Sequence, residues 1–219
     1  MPMSLPQHNS PAVDSIQPNK TGDGSTAGDS APGRKFTSNE FSDSERRVLL
    51  RLAHDSIISA LENREISVEA PMPHLAKPRG AFTSLYLRTE LRGCVGYVLP
   101  ACTVYRAVAE TARASAFDDA RFSPVTMEEA LHIEVELSII SPAKPIDPDE
   151  IEIGRHGLLI SWHGRRGLLL PQVAAEHAWD RITFLTQTCR KAMLPSDAWQ
   201  KGATVEAFTA EIFGEKTGV

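Results

Sequence analysis

The segment His132-Ile133-Glu134-Val135-Glu136-Leu137-Ser138-Ile139 alternates polar and apolar residues without a break. Successive side chains of a strand point to opposite faces, so Ile133, Val135, Leu137 and Ile139 form one apolar row, and His132, Glu134, Glu136 and Ser138 form a polar one. Such a strand buries one face in a core and turns the other away from it. The rest of the chain has to supply the partner strands and the layer that covers the apolar row.

Those partners can be read nearby. Gly80 to Arg88 reads as a strand with Phe82, Leu85 and Leu87 as its apolar positions, and Leu91 to Leu99 as a second, joined through Thr89-Glu90 into a hairpin and stopped by Pro100. Ser42-Asp43-Ser44-Glu45 fits a capping box and opens a helix over about 43–62, with Leu49, Leu52, Ala53, Ile57, Ala60 and Leu61 at helical spacing. A second helix is expected over 103–116, with Val104, Ala107, Val108, Thr111 and Ala112 on one face. Pro71, Pro73 and Pro78 make the segment before the hairpin a loop, and three prolines do the same for 141–149.

Further on, Gly157–Ser161 and Gly167–Leu170 flank the turn His163-Gly164-Arg165-Arg166 as a second hairpin. Asp180 caps a helix over 181–192, and a last strand runs near Val205–Phe213. Strands and helices mix without βαβ alternation or internal repeat. The expected fold is α+β rather than doubly wound.

The flanks and totals narrow the class. Residues 1–38 hold five prolines and four glycines with no apolar period, and 1–40 is read as a disordered tail ahead of one domain over 41–215. The net charge is −5, against a dedicated nucleic-acid binder, which carries a basic excess. Cys94, Cys102 and Cys189 are too few for a disulfide framework, and no C-x-x-C pair suggests a thiolate zinc site. Met1 to Ser10 lacks the basic and apolar regions of a secretory signal, and no apolar run approaches membrane-spanning length. The expected address is the cytoplasm.

The block Leu91-Arg92-Gly93-Cys94-Val95-Gly96 resembles the LRGCIG motif of the AMMECR domain family, with Val for Ile. Gly80-Ala81-Phe82 precedes it at family spacing, and Asp119-Ala120-Arg121-Phe122 is similar to the family's DPRF. Ile133-Glu134-Val135, Ile153 to Leu158, Leu170-Pro171-Gln172-Val173, Trp179-Asp180, Cys189-Arg190-Lys191-Ala192 and Trp199 extend the likeness over about 42–214. Ala120 replaces the family's proline, Met193 stands where relatives have glycine, and Thr89-Glu90 where they often place one. The resemblance implies two subdomains of mixed or antiparallel sheet with flanking helices, and a cleft lined by the motif. It also implies the company of Memo-type proteins and radical-SAM enzymes, since bacterial and archaeal members are called AmmeMemoRadiSam system protein A. It implies no established reaction, and the sequence names no cofactor.

The candidate site centres on Cys94. Glycines on either side allow close approach of a ligand or of another backbone. Arg92, two residues away, is expected on the same face, where it would favour a thiolate. The thiol reads either as a nucleophile or ligand, or as a small buried residue at a tight crossing. Glu134 is a candidate acid/base or a partner for Arg92. His156, on a glycine-flanked turn, can present a base or cap backbone groups.

Gly93, Gly96, Arg121 and Gln172 complete the candidate ligand-binding set, although Asp119 and Arg121 also suit each other as a pair. No H-x-x-x-H or H-x-H spacing supports a metal site. Arg155, Arg165 and Arg166, with His156 and His163, form a basic hairpin tip able to hold a phosphate or a nucleic-acid backbone. Two functions follow. One is a cleft-containing binding or adaptor component beside Memo-type and radical-SAM partners. The other is an enzyme using Cys94, with Arg92, Glu134 and His156, on a small molecule or macromolecule.

Overall fold

The computed structural model describes residues 40–215. Apart from Glu40, the expected tail lies outside the described residues. The chain forms two four-stranded antiparallel sheets, each covered on one face by helices. The fold is α+β.

In the first sheet the spatial order is β2-β1-β3-β8: β1 is Gly80–Leu87, β2 Glu90–Tyr97, β3 Glu134–Ile140 and β8 Ala210–Gly214. The alternation that defines β3 holds: Ile133, Val135, Leu137 and Ile139 are all buried. The helices α1 (Asp43–Leu61), α2 (Val104–Phe117) and α3 (Met127–Ala130) cover that face. The capping box of α1 is present, with Ser42 accepting from the Glu45 amide and Glu45 accepting from the Ser42 amide. Val104, Ala107, Val108, Thr111 and Ala112 of α2 are buried as their spacing requires. Full burial of a valine of this kind contributes about 1.5–3 kcal/mol.

One phase differs from expectation. On β1 the buried row is Ala81, Thr83 and Leu85, while Phe82 points to the opposite face. Thr83 is tolerated in the core because its hydroxyl bonds that of Thr111 at 2.8 Å.

The second sheet runs β4-β7-β5-β6: β4 is Lys144–Pro145, β5 Gly157–Trp162, β6 Arg165–Leu169 and β7 Thr204–Phe208. Helices α4 (Pro171–Glu176) and α5 (Arg181–Lys191) cover it around Leu158, Ile160, Phe184 and Leu185. The expected single strand over 205–213 is two strands in different sheets, broken at Thr209. There the chain is pinned by Ser141, whose amide donates to the Thr209 carbonyl at 2.9 Å and whose hydroxyl accepts from the Thr209 amide at 2.9 Å.

The sheets meet through their helix-free faces, where Val98, Ile140 and Phe208 form a small cluster joined by Phe82, Leu168 and Ala210.

Glu40 and Phe41 are tied to this body. Glu211, buried on β8, accepts from both their amides and pairs with Arg46 at 2.8 Å. Phe41 stacks on His74, and Glu40 pairs with Arg79.

Tight turns account for the departures from family glycines. The first hairpin turns on Arg88-Thr89, both at positive φ, and the second on His163-Gly164, leaving Arg165 and Arg166 in β6. Helix α5 ends in a Schellman motif, with Leu194 N–H bonded to Cys189 O and Met193 N–H to Arg190 O. That motif places Met193 at φ 56° with its side chain in solvent. A left-handed non-glycine residue costs roughly 1–2 kcal/mol. Met193→Gly is therefore expected to raise stability by about 1 kcal/mol, seen as a rise of about 2–4 °C in the thermal unfolding midpoint.

Candidate functional site around Cys94

The register of the β1–β2 hairpin decides what Cys94 faces. From the turn, Leu87 pairs with Glu90 and Tyr86 with Leu91, but Leu85 then pairs with Gly93. Arg92 is the extra residue of a β-bulge. Beyond the bulge the pairs are Ser84 with Cys94, Thr83 with Val95 and Phe82 with Gly96. Cys94 thus shares the helix-free face with Ser84. Its backbone is on an edge strand, and the thiol is half-buried.

The bulge overturns the expectation that Arg92 and Cys94 act on one face. Arg92 instead forms a two-pronged pair with Glu129 of α3, at 2.9 and 3.0 Å, and reaches the Pro124 carbonyl at 3.4 Å. This guanidinium holds the Glu129 carboxyl below the usual carboxylate range.

Both glycines of the motif have packing demands of their own. A Cβ on Gly93 would stand 2.1 Å from the Ser115 carbonyl oxygen of α2. One on Gly96 would stand 2.4 Å from the Phe82 ring. The close approach of α2 brings the Ser115 hydroxyl between the strands. It donates to Thr83 O at 2.7 Å and accepts from Val95 N–H at 2.8 Å.

The open edge of β2 at Cys94 is closed by side chains. Asp119 accepts from the Cys94 amide at 2.9 Å, and Arg121 donates to the Cys94 carbonyl at 3.3 Å. The two side chains also bond each other at 2.9 and 2.7 Å. Their mutual pairing, read from the sequence, is present, with the added role of an edge clamp. The Arg121 guanidinium is the main force lowering the Asp119 carboxyl from the ordinary 3.8 to about 2; the Cys94 amide adds to it against burial.

On the helix-free face the Ser84 hydroxyl donates to the Cys94 sulfur at 3.3 Å. Ser84 pairs on its other side with Glu136, so Cys94, Ser84 and Glu136 form one row across three strands. At about 4.8 Å per strand the row spans roughly 10 Å. Tyr86 stands beside Ser84 and Glu136, and burial, then the charges of Glu136 and Cys94, push its phenol up. Glu134 lies one step along, opposite Tyr86.

The other candidates stand apart from this row. His156 precedes β5 of the second sheet, where its Nδ1 accepts from the Glu152 amide at 3.1 Å, the turn-capping alternative. Burial, then the Arg155 charge, pushes its imidazole down. Gln172 is exposed on α4. Among the described residues no group of three or more His, Cys, Asp or Glu could hold a metal ion.

Sequence reasoning missed Ser84, Tyr86 and Glu136. Glu136 could have been found as a polar position of β3, but its alignment with Cys94 depends on the bulge.

The arrangement defines a two-sheet α+β domain built around a bulged, clamped edge strand. The AMMECR1 family matches residues 50–213, and the chain belongs to that family. It is 39% identical over 188 residues to a protein of Methanosarcina acetivorans, covering 80% of this chain and 94% of that one. It is 39% identical to Protein MK0488 of Methanopyrus kandleri, covering 78% and 89%. The crystal structure of the uncharacterized protein PH0010 from Pyrococcus horikoshii matches with TM-score 0.65 and 38% identity, over 80% of this chain and 93% of that one. Among the described residues no helix is long and apolar enough to cross a membrane.

The clamp gives a pH prediction. Asp119 has a folded value below its unfolded one, so its contribution is complete above about pH 4 and is lost as pH falls towards 2. A shift of this size corresponds to roughly 2 kcal/mol. Asp119→Asn should lower stability by about that amount at pH 7 and flatten the acid limb between pH 4 and 2, as read by urea unfolding across that range.

Proposed function

We propose that this protein is a binding component whose working surface is the helix-free face of the first sheet around Cys94, Ser84, Tyr86 and Glu136. In this reading it works beside a Memo-type protein and a radical-SAM enzyme, and the covalent chemistry takes place on those partners. The two sheets touch at Phe82, Ile140 and Phe208, and the row lies on the same face of β1–β3, further along from that contact. A cleft opening from there would present a thiol, two hydroxyls and a carboxylate to its occupant.

The observation that carries this reading is what surrounds the sulfur. A nucleophilic cysteine needs an adjacent base or a free cation. Here the thiol's hydrogen-bond partner is the Ser84 hydroxyl. Arg92 is committed to Glu129, and Arg121, within electrostatic range of Cys94, is neutralised by Asp119. No imidazole belongs to the row. Half-buried hydroxyl, thiol and carboxylate groups on three paired strands suit recognition by hydrogen bonding.

Two measurements test the proposal on the full chain. In the first, iodoacetamide should alkylate Cys94 at pH 7 at a rate within about tenfold of Cys102; labelling about a thousandfold faster would point to an activated thiolate and to the enzyme reading. In the second, the Memo-type and radical-SAM proteins of the same genome are captured on the tagged chain. Tyr86→Phe with Glu136→Gln should reduce capture at least about fivefold, while exposed Arg113→Gln leaves it unchanged. Equal capture by both variants, or none by the wild type, would remove the partner assignment.

A further inference from the structure

The second sheet carries a separate cavity at the tip of the β5–β6 hairpin. It is a shallow space of about 380 Å³ lined by Ser161, Trp162, His163, Arg165, Arg166 and Thr204, with Gly164 at the turn. Its size falls at the lower end of small-ligand sites. The register explains its chemistry. Arg166 pairs with Ser161, and Ser161 with Thr204, so a guanidinium and two hydroxyls stand in one row across β6, β5 and β7.

These groups are not used internally. Among the described residues, the side chains of Ser161, His163, Arg166 and Thr204 have no hydrogen-bond partner. Among the described residues the Arg165 side chain donates only to the Met193 carbonyl, at 2.5 Å. Neither lining arginine pairs with a carboxylate among the described residues, whereas Arg46, Arg79, Arg92 and Arg121 all do. Helix α5 packs on the other face of the sheet, where Ala192 lies against Gly167, the register partner of core-facing Ile160. Glu206, two residues beyond Thr204, shares the face of the row but does not line the cavity.

We infer that this cavity binds the phosphate group of a small molecule. Arg166 supplies a forked, permanently charged donor, Ser161 and Thr204 supply hydroxyl donors, and His163 stands at the rim beside the Trp162 ring, 4.5 Å away between centroids. A phosphate dianion presents several strong acceptors in a compact volume and can engage three donors from one row. A carboxylate offers fewer acceptors, and the net charge of −5 opposes accumulation of a long polyanion. The site is independent of the surface around Cys94.

The experiment follows the three tryptophan indole resonances of the full chain while inorganic phosphate replaces chloride at constant ionic strength. With phosphate raised to about 30 mM, the Trp162 resonance is expected to move and saturate, while those of Trp179 and Trp199 stay in place. Arg166→Gln should weaken the response at least about tenfold and Thr204→Val a few-fold. Glu206→Gln should strengthen it, and Arg113→Gln should leave it unchanged.

A Trp162 resonance that does not move over this range would overturn the inference. So would an equal response in Arg166→Gln. A single-stranded oligonucleotide lacking a terminal phosphate that displaces inorganic phosphate at micromolar concentration would do the same, by assigning the hairpin to nucleic-acid backbone instead.

Discussion

A single extra residue in β2 decides the character of this domain. In an unbroken ladder running back from the Arg88-Thr89 turn, Cys94 would pair with Thr83 and point into the helical core. The bulge at Arg92 advances the register by one, so Cys94 pairs with Ser84 and its thiol emerges on the opposite face. Because side chains alternate with a period of two, a one-residue slip exchanges the faces of everything beyond it. The same slip turns Gly93 towards α2, where only a residue without Cβ fits. The bulge, the glycine and the placement of the half-buried thiol on the helix-free face are therefore one feature of the chain.

That feature needs support, since a bulge leaves ladder groups unpaired. Ser115 provides part of it: its buried hydroxyl bridges Thr83 O and Val95 N–H. The loop after α2 provides the rest: Asp119 and Arg121 take the amide and carbonyl of Cys94 as a neighbouring strand would. Both supports come from α2 and the residues following it. The packing of one helix thus fixes the register, closes the edge against pairing with another chain and orients the thiol. The arginine two residues from the cysteine and the one in the adjoining loop are each paired with a carboxylate, Arg92 with Glu129 and Arg121 with Asp119.

How much of this could be read beforehand depended on whether a pattern was local. The polar–apolar alternation of β3, the capping box of α1 and the buried face of α2 are properties of contiguous residues, and they appear as the sequence implies. The bulge was not legible, because alternation arguments assume a continuous ladder; hence Arg92 was expected beside Cys94, and Ser84, Tyr86 and Glu136 were overlooked. The run 205–213 looked like one strand because Val205, Ala207 and Phe208 keep it apolar up to the break at Thr209, and a change of sheet leaves no periodic trace. Helix α3 did carry a signal, the capping box Thr126-x-x-Glu129, but a four-residue helix has too few positions to show a period. Glu129 was therefore unavailable as the partner that draws Arg92 away.

The junction at Thr209 gives the two surfaces a common frame. Thr204, on the wall of the hairpin cavity, begins β7, and Gly214, the register partner of Glu136, ends β8. One continuous stretch of chain therefore contributes to both sheets, and Ser141 anchors its only break by hydrogen bonds to both sides of the Thr209 peptide backbone. Val98, Ile140 and Phe208 pack beside that anchor and hold the helix-free faces together. Any occupant of the space beyond them would meet a hydrogen-bonding wall from the first sheet that carries the Glu136 carboxylate. The cationic donors of the second sheet sit at the far tip of its hairpin, so the domain can offer chemically distinct surfaces without either one compromising the packing of the other.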